Sequence, residues 1–129
     1  MKITVRVKAP FEFVLLAALA CFGLGCHTQV QAVDDKDIYE GTVALGFEVS
    51  SFRPCGLDES WWIEGSEESA VNISEQYAGI TQKPYEEVFA RLRGLISEKG
   101  IYGHLGAYQR SFYVTEVIIV RSKQSGDCK

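Results

Sequence analysis

An alternation of apolar and polar residues marks the segment from residue 38 to residue 55. The alternating apolar positions are Val43, Leu45, Phe47 and Val49. Because every second side chain of a strand lies on one face, this spacing predicts a strand that buries one side. The alternation breaks at Ser50 and Ser51, where a bulge or a sharp bend would restore the phase. Pro54 cannot donate a ladder hydrogen bond, so we expect the strand to end there.

A second, shorter strand is predicted at residues 61–65, which read WWIEG. Adjacent residues of a strand point to opposite faces, so Trp61 and Trp62 cannot both enter one core. The outward tryptophan must be covered by another element or lie at a partner surface. Cover by the element that follows in sequence is the simpler arrangement.

That element is an amphipathic helix, predicted over residues 66–81. Its apolar positions recur at helical spacing and are Ala70, Ile73, Tyr77 and Ile80. Ser66 can cap the helix N-terminus, where the acidic side chains of Glu67 and Glu68 interact favourably with the helix dipole. Gly79 favours an early end of the helix.

Two further strands complete the pattern. Pro84 opens the first, predicted over residues 85–97, in which Val88, Ala90 and Leu92 alternate with Phe89, Arg91 and Arg93. The segment 111–121 is rich in β-branched residues and becomes apolar on both faces, which predicts a central strand. The order strand, strand, helix, strand, strand resembles a small Greek-key barrel of the OB type, provided that the long first and last strands each pair twice. We therefore expect a mainly β fold with one short α-helix.

The beginning of the chain has the pattern of an export signal. Lys2, Arg6 and Lys8 precede an uncharged run of thirteen residues at positions 13–25. A membrane-spanning helix needs about 20 apolar residues, whereas this shorter length is typical of the apolar region of a signal peptide.

The end of this run, GLGC at residues 23–26, resembles the lipobox of bacterial lipoproteins. The resemblance implies cleavage before Cys26 and attachment of lipid to Cys26. Cleavage before Cys21 is the competing arrangement. The segment could also form a buried helix with packed cysteines, or a metal site of Cys21, Cys26 and His27. His27 is not the aspartate of an inner-membrane retention signal, so the resemblance implies an anchor in the outer membrane, facing the periplasm.

This interpretation divides the chain into three parts. We expect a lipoprotein signal peptide at residues 1–25, a lipidated tether at 26–37 and an OB-like β-barrel domain at 38–129. Once Cys21 is removed and Cys26 carries lipid, Cys55 and Cys128 remain. An even pair in an oxidising compartment predicts a disulfide bond. A pair of metal-binding thiols is the alternative, although no CxxC or HxxxH spacing supports it.

The net charge of the chain limits the classes of binding partner that we expect. The formal net charge is −4 at pH 7, but three of the 13 basic residues and one of the 17 acidic residues precede Cys26. Ten bases therefore face sixteen acids from Cys26 onward. Nucleic-acid binding needs clustered Lys and Arg, so we expect no nucleic-acid partner. The chain also contains no GxSxG, HExxH or P-loop motif, and we expect no catalytic residue, cofactor or resident metal.

Several short segments resemble a family. SSFRPCG, the aromatic WW strand, VFARLRG and the DC pair at residues 127–128 resemble small Gram-negative envelope lipoproteins of unassigned function. They are more distantly similar to the barrel domains of the NlpE envelope-stress lipoproteins. NlpE-type proteins carry a CxxC tied to a copper response, and this chain lacks one, so the resemblance does not imply a copper role.

The glycine-rich segment GIYGHLGAYQR, residues 100–110, is the candidate for recognition chemistry. Together with the tryptophan pair it defines a candidate ligand or partner surface of Trp61, Trp62, Tyr102, His104, Tyr108 and Arg110. As a ligand loop, its glycines would let a backbone approach closely and its arginine would bind an anion. The alternative is a structural hairpin whose glycines adopt positive φ. We expect a non-enzymatic module that binds an envelope protein, or alternatively a small-ligand or ion-binding protein that uses this loop and an outward tryptophan.

Overall fold

The computed structural model describes residues 37–129, which form a mainly β domain with one helix. The elements are β1 (Ile38–Gly46), β2 (Val49–Pro54), β3 (Trp61–Gly65), α1 (Glu67–Ile80), β4 (Val88–Ile96) and β5 (Arg110–Ser122). The strands close into a barrel in the order β1-β2-β3-β5-β4, with β4 returning to β1. The β3–β5 pair is parallel and the other pairs are antiparallel. The expectation of a β-barrel with one helix is confirmed.

The first strand of the sequence pattern is a hairpin rather than one bent strand. The chain reverses at Phe47 and Glu48, and Gly46 pairs with Val49 across the turn. Glu48 adopts the left-handed conformation, with φ 58°, which is uncommon for a residue other than glycine. The predicted bend at Ser50 was therefore wrong, because Phe47 continues the alternation in sequence while it occupies the exposed tip of a turn.

Aromatic rings fill the interior of the barrel. Phe52, Trp61 and Phe112 are at most 1% exposed, and Tyr39 packs against them from the half-buried N-terminal part of β1. The Trp61 and Phe112 rings lie 5.6 Å apart edge to face, and Phe52 and Phe112 lie 5.0 Å apart. Such pairs contribute about 0.5–1.5 kcal/mol each beyond the burial of their area. The ring cluster therefore joins β1, β2, β3 and β5 into one core.

Helix α1 begins where the sequence predicts. The Ser66 hydroxyl accepts a hydrogen bond from the backbone N–H of Ser69 at 3.2 Å, which satisfies an N-terminal donor. Ile73 and Tyr77 are buried in the barrel core, and the helix continues past Gly79 to Ile80. The Tyr77 hydroxyl donates to the carbonyl of Glu86 at 2.8 Å, which ties the helix to the segment before β4.

That segment was predicted to be the start of the next strand, but β4 begins only at Val88. Tyr85 instead adopts a left-handed conformation, with φ 69°, and its N–H donates to the carbonyl of Leu45. A side chain at Gly46 would collide with the Tyr85 ring, which lies directly on that residue. Because Gly46 has no side chain, the Tyr85 ring can pack against the end of β1.

Covalent and ionic contacts hold the segment that follows β5. The predicted disulfide is present and links Cys55, after β2, to Cys128. Arg121 donates two hydrogen bonds to Asp127, at 2.7 and 2.8 Å, and its guanidinium lies 4.1 Å from the centre of the Phe89 ring. The bonds from Arg121, followed by one from the backbone N–H of Gln124, lower the pKa of Asp127 from 3.8 to about 2.

Candidate functional site

The two adjacent tryptophans have different environments, as strand geometry requires. Trp61 faces the barrel interior and is 1% exposed, so it belongs to the core and not to the predicted surface. Trp62 faces outward and is half-buried. Local sequence could not decide between them, because the phase of a five-residue strand depends on which face its neighbours bury.

The β4–β5 loop covers Trp62, and the expectation that helix α1 covers it was wrong. The ring centres of Trp62 and Tyr108 lie 5.1 Å apart in an edge-to-face arrangement. Gly103 packs between them with φ 68°, and a Cβ there would lie 2.6 Å from both rings. The loop therefore requires glycine at this position for both conformation and space.

The glycine-rich segment is itself a small closed hairpin. Tyr102 and Tyr108 exchange backbone hydrogen bonds of 3.1 and 3.3 Å, and a short 3-10 turn, His104–Gly106, connects them. Gly103 and Gly106 adopt positive φ. The Tyr102 hydroxyl donates to the carbonyl of Glu98 at 3.0 Å, so this side chain stabilises the loop from within.

His104 joins this loop to the β1–β2 turn. Its Nε2 lies 2.9 Å from an Oε2 of Glu48, and both side chains are partly exposed. This pair brings the β1–β2 turn and the β4–β5 loop together, although the two connections lie far apart in sequence. Phe47 and Leu105, the sequence neighbours of the pair, are 79% and 91% exposed.

Arg110 is engaged in a structural network. Its Nε donates to Glu59 at 3.1 Å and its Nη1 donates to the carbonyl of Ser97 at 2.6 Å. Glu59 also accepts from the Lys99 ammonium at 2.7 Å and from the Trp61 indole at 2.8 Å. Hydrogen bonds from Lys99, Trp61 and Arg110, in decreasing order, lower the pKa of Glu59 from 4.5 to about 2. The anion that Arg110 binds is therefore internal, and its side chain links the segment after β4 to the segment before β3.

A cavity of about 380 Å³ lies on the outer face of β1 and β2, next to this loop. We call it the outer groove, and its principal polar and aromatic lining residues are Thr42, Ser51, Arg53, Ser60, Tyr85, Glu87 and Tyr108. Only Tyr108 was in the predicted surface. The sequence signal for some of the others is their place between the apolar positions of a strand. Thr42 on β1 and Ser51 and Arg53 on β2 occupy such outward positions.

Polar contacts within the outer groove leave some groups engaged and others available. Ser51 and Ser60 share a hydrogen bond between their hydroxyl oxygens at 2.9 Å. Glu87 accepts from the Lys123 ammonium at 2.7 Å. Arg53 is exposed, and within the part of the chain that the structure describes its side chain has no hydrogen-bond or ion-pair partner. The groove thus presents a guanidinium beside a neutralised carboxylate.

No three or more His, Cys, Asp or Glu side chains within residues 37–129 are grouped so that they could hold a metal ion. No helix in the same range has the length and apolar character required to cross a membrane. The predicted lipidation residue Cys26 and the competing Cys21 lie outside the described residues, as do the predicted signal peptide and most of the tether.

Comparison with family models, with curated proteins and with solved structures finds no match to this chain.

Proposed function

We propose that this chain is a lipid-anchored, periplasmic barrel domain of OB-like topology that acts without catalysis by binding a protein partner in the bacterial envelope. The observation that carries this proposal is an exposed apolar rim, which we define as Phe47, Ile101 and Leu105. These side chains are 79%, 83% and 91% exposed. Contiguous exposed apolar groups favour a protein interaction, whereas single ones are ordinary.

Contacts between their neighbours support the grouping of these three residues. The 2.9 Å contact of Glu48 with His104 holds the residues that precede and follow it, Phe47 and Leu105, at adjoining turns. Ile101 lies against Gly106, since a Cβ there would be 2.3 Å from an Ile101 methyl carbon. The rim is therefore built on two hydrogen-bonded turns and needs little ordering when a partner binds, which favours affinity.

The OB-like assignment rests on connectivity. Five strands in the order β1-β2-β3-β5-β4, a parallel β3–β5 pair and a helix between β3 and β4 match the Greek-key barrel that the sequence pattern resembles. In such barrels the faces and loops around β2 and β3 are common recognition surfaces. The rim adjoins this region through the β1–β2 turn and the β4–β5 loop.

We propose on separate grounds that the domain has no catalytic activity and that the chain carries a lipid anchor. His104 and Glu59 offer the most suitable acid–base groups near the loop, and each is held in a structural contact, His104 with Glu48 and Glu59 with Arg110. The anchor is supported by the lipobox-like GLGC at residues 23–26 and by a disulfide bond, which is typical of an oxidising compartment. The resemblance to small envelope lipoproteins, and more distantly to the barrel domains of NlpE lipoproteins, agrees with both.

Metabolic labelling with a radioactive fatty acid tests the anchor. Cells that produce the wild-type chain should incorporate label into it, and cells that produce Cys26→Ser should not. Cys21→Ser serves as the matched control and should retain the label. Label that persists in Cys26→Ser and disappears in Cys21→Ser would move the anchor to Cys21, and label in neither chain would refute lipidation.

Photo-crosslinking in intact cells tests the partner surface. A benzophenone amino acid placed at Leu105 should give one discrete crosslinked species, and Phe47→Ser should abolish that species. The same amino acid at Val71, which is 48% exposed on α1, is the control and should not give it. Equal crosslinking from both positions, or none from Leu105, would refute the rim as the binding surface.

A further inference from the structure

The outer groove contains hydrogen-bond donors that no part of the described chain satisfies. Thr42 is 6% exposed and Tyr108 is 8% exposed, so both side chains are more than nine-tenths buried. Within residues 37–129 neither hydroxyl has a hydrogen-bond partner, and neither oxygen is fully sealed from solvent. Arg53 adds an unpaired guanidinium to the same groove. The two hydroxyl oxygens are therefore unpaired within the described residues but open to solvent at the groove. Together with the exposed guanidinium, they are available to a ligand that enters the groove.

The register of the sheet brings two of these donors together. Thr42 on β1 lies directly opposite Arg53 on β2. Opposite residues of an antiparallel pair have Cβ atoms about 4.5–5.5 Å apart on the same face. The hydroxyl and the guanidinium therefore rise from neighbouring points of the groove floor, and one small group can reach both.

The donor chemistry selects an anion with one negative charge. A guanidinium has five N–H donors, no acceptor and a fork that fits a carboxylate. Glu87 does not supply that carboxylate, because its own charge is paired with Lys123 at 2.7 Å. A single arginine in a domain with excess acidic residues matches a monoanion, whereas a phosphate dianion would leave one charge unbalanced. We propose that the outer groove binds a sugar acid, with its carboxylate on Arg53 and Thr42.

The walls of the groove provide contacts for the sugar ring of such a ligand. Tyr85 and Tyr108 provide aromatic surface on which the apolar face of a sugar ring can pack. Tyr85 is held in this position at φ 69°, a strained conformation for a tyrosine and one that often accompanies function. The Ser51 and Ser60 hydroxyls bond to each other and retain acceptor capacity for ring hydroxyl groups. A cavity of about 380 Å³ is at the smaller end of ligand sites and holds one substituted six-membered ring.

This site is independent of the rim, because none of its residues belongs to Phe47, Ile101 or Leu105. The proposal goes beyond protein binding and does not require it. A failed crosslink at Leu105 would therefore leave the groove untouched, and absence of ligand binding would leave the rim untouched. The two experiments have different residues and different readouts, so their failures are distinguishable.

Titration calorimetry and amide NMR of the full-length protein test the proposal with glucuronate as the probe. Glucuronate should bind saturably and shift the amide signals of Thr42 and Arg53, and glucose, which lacks the carboxylate, should not. Arg53→Gln should weaken glucuronate binding about tenfold or more, as the loss of a charge-assisted pair does. Thr42→Val should also weaken it, and Lys129→Gln, which removes one exposed positive charge elsewhere, should leave it unchanged.

Competing ligands and a folding control complete the design. Benzoate tests for an aryl carboxylate and inorganic phosphate tests for a general anion site. Either of them binding more tightly than glucuronate would overturn the assignment, as would glucuronate binding that survives Arg53→Gln. Unfolding curves of each variant show whether it is folded, and Arg53→Lys, which keeps the charge without the fork, should recover only part of the affinity.

Discussion

Removing the disulfide should have the largest effect on stability of any surface change in this domain. The bond joins residues 73 positions apart, so it closes a loop that spans most of the barrel. The chain-entropy relation gives about 4 kcal/mol for a loop of that length at 25 °C. A domain of 60–100 residues loses about 4–8 °C of Tm for each kcal/mol, so Cys55→Ser with Cys128→Ser should lower Tm by about 15–30 °C.

Calorimetric unfolding of the wild-type chain and the double variant measures this difference directly. Reductant should lower the Tm of the wild-type protein to a similar value and should leave the double variant unchanged. Intact mass with and without reductant, which differs by two hydrogen atoms for one bond, establishes that the starting material is oxidised. A Tm difference below about 5 °C would refute the chain-entropy argument for this bond, because the predicted loss is several times larger.

Three more variants probe the core, the loop and the ion network. Phe112→Ala should lower the free energy of unfolding by about 3–5 kcal/mol, because it opens a cavity in the ring cluster, and denaturant titration measures it. Gly103→Ala should destabilise the loop by about 1–3 kcal/mol, since the methyl group meets two rings at an unfavourable φ, and Trp62 fluorescence should report the opened loop. Because the pKa of Glu59 is lowered from 4.5 to about 2, its contribution to stability is complete above pH 4.5 and is lost as the pH falls toward 2. Glu59→Gln should therefore make the stability less dependent on pH across that interval, as urea unfolding at pH 6 and pH 3 would show.

Each of these predictions has a result that contradicts it. A loss under about 1 kcal/mol for Phe112→Ala would mean that the ring cluster repacks around the space. An unchanged fluorescence spectrum in Gly103→Ala would mean that the loop accommodates a methyl group. An equally steep pH dependence in Glu59→Gln would assign the acid sensitivity to other carboxylates, of which Asp127 is the clearest candidate.

Much of the barrel was predictable from local patterns. The helix and its Ser66 cap follow from a hydroxyl placed directly before a helical repeat, and β5 follows from its β-branched composition. The disulfide partners follow from the cysteine count once Cys21 and Cys26 are assigned to the predicted export signal and its cleavage site. These features depend on few neighbours, so sequence alone contains the information.

The outer groove was not predictable in the same way. Thr42 and Arg53 are 11 positions apart in sequence and become opposite neighbours only because the chain turns at Phe47. A bend at Ser50, which the alternation equally allows, would have changed that register and every cross-strand pair that follows from it. Tyr85 and Tyr108 then enter from two different connections, and no local pattern specifies where such segments cross the barrel face.

The parallel β3–β5 pair has a consequence for the order in which the domain folds. Trp61 pairs with Arg110, about fifty positions along the chain, and long-range pairing of this kind slows folding. Strand β5 also pairs with β4, so the barrel cannot close until β5 is available. A chain that has emerged only as far as β4 therefore presents two open strand edges, on β3 and β4, which are templates for aggregation. The domain should therefore depend most on chaperones after β4 has emerged and before β5 has paired with β3 and β4.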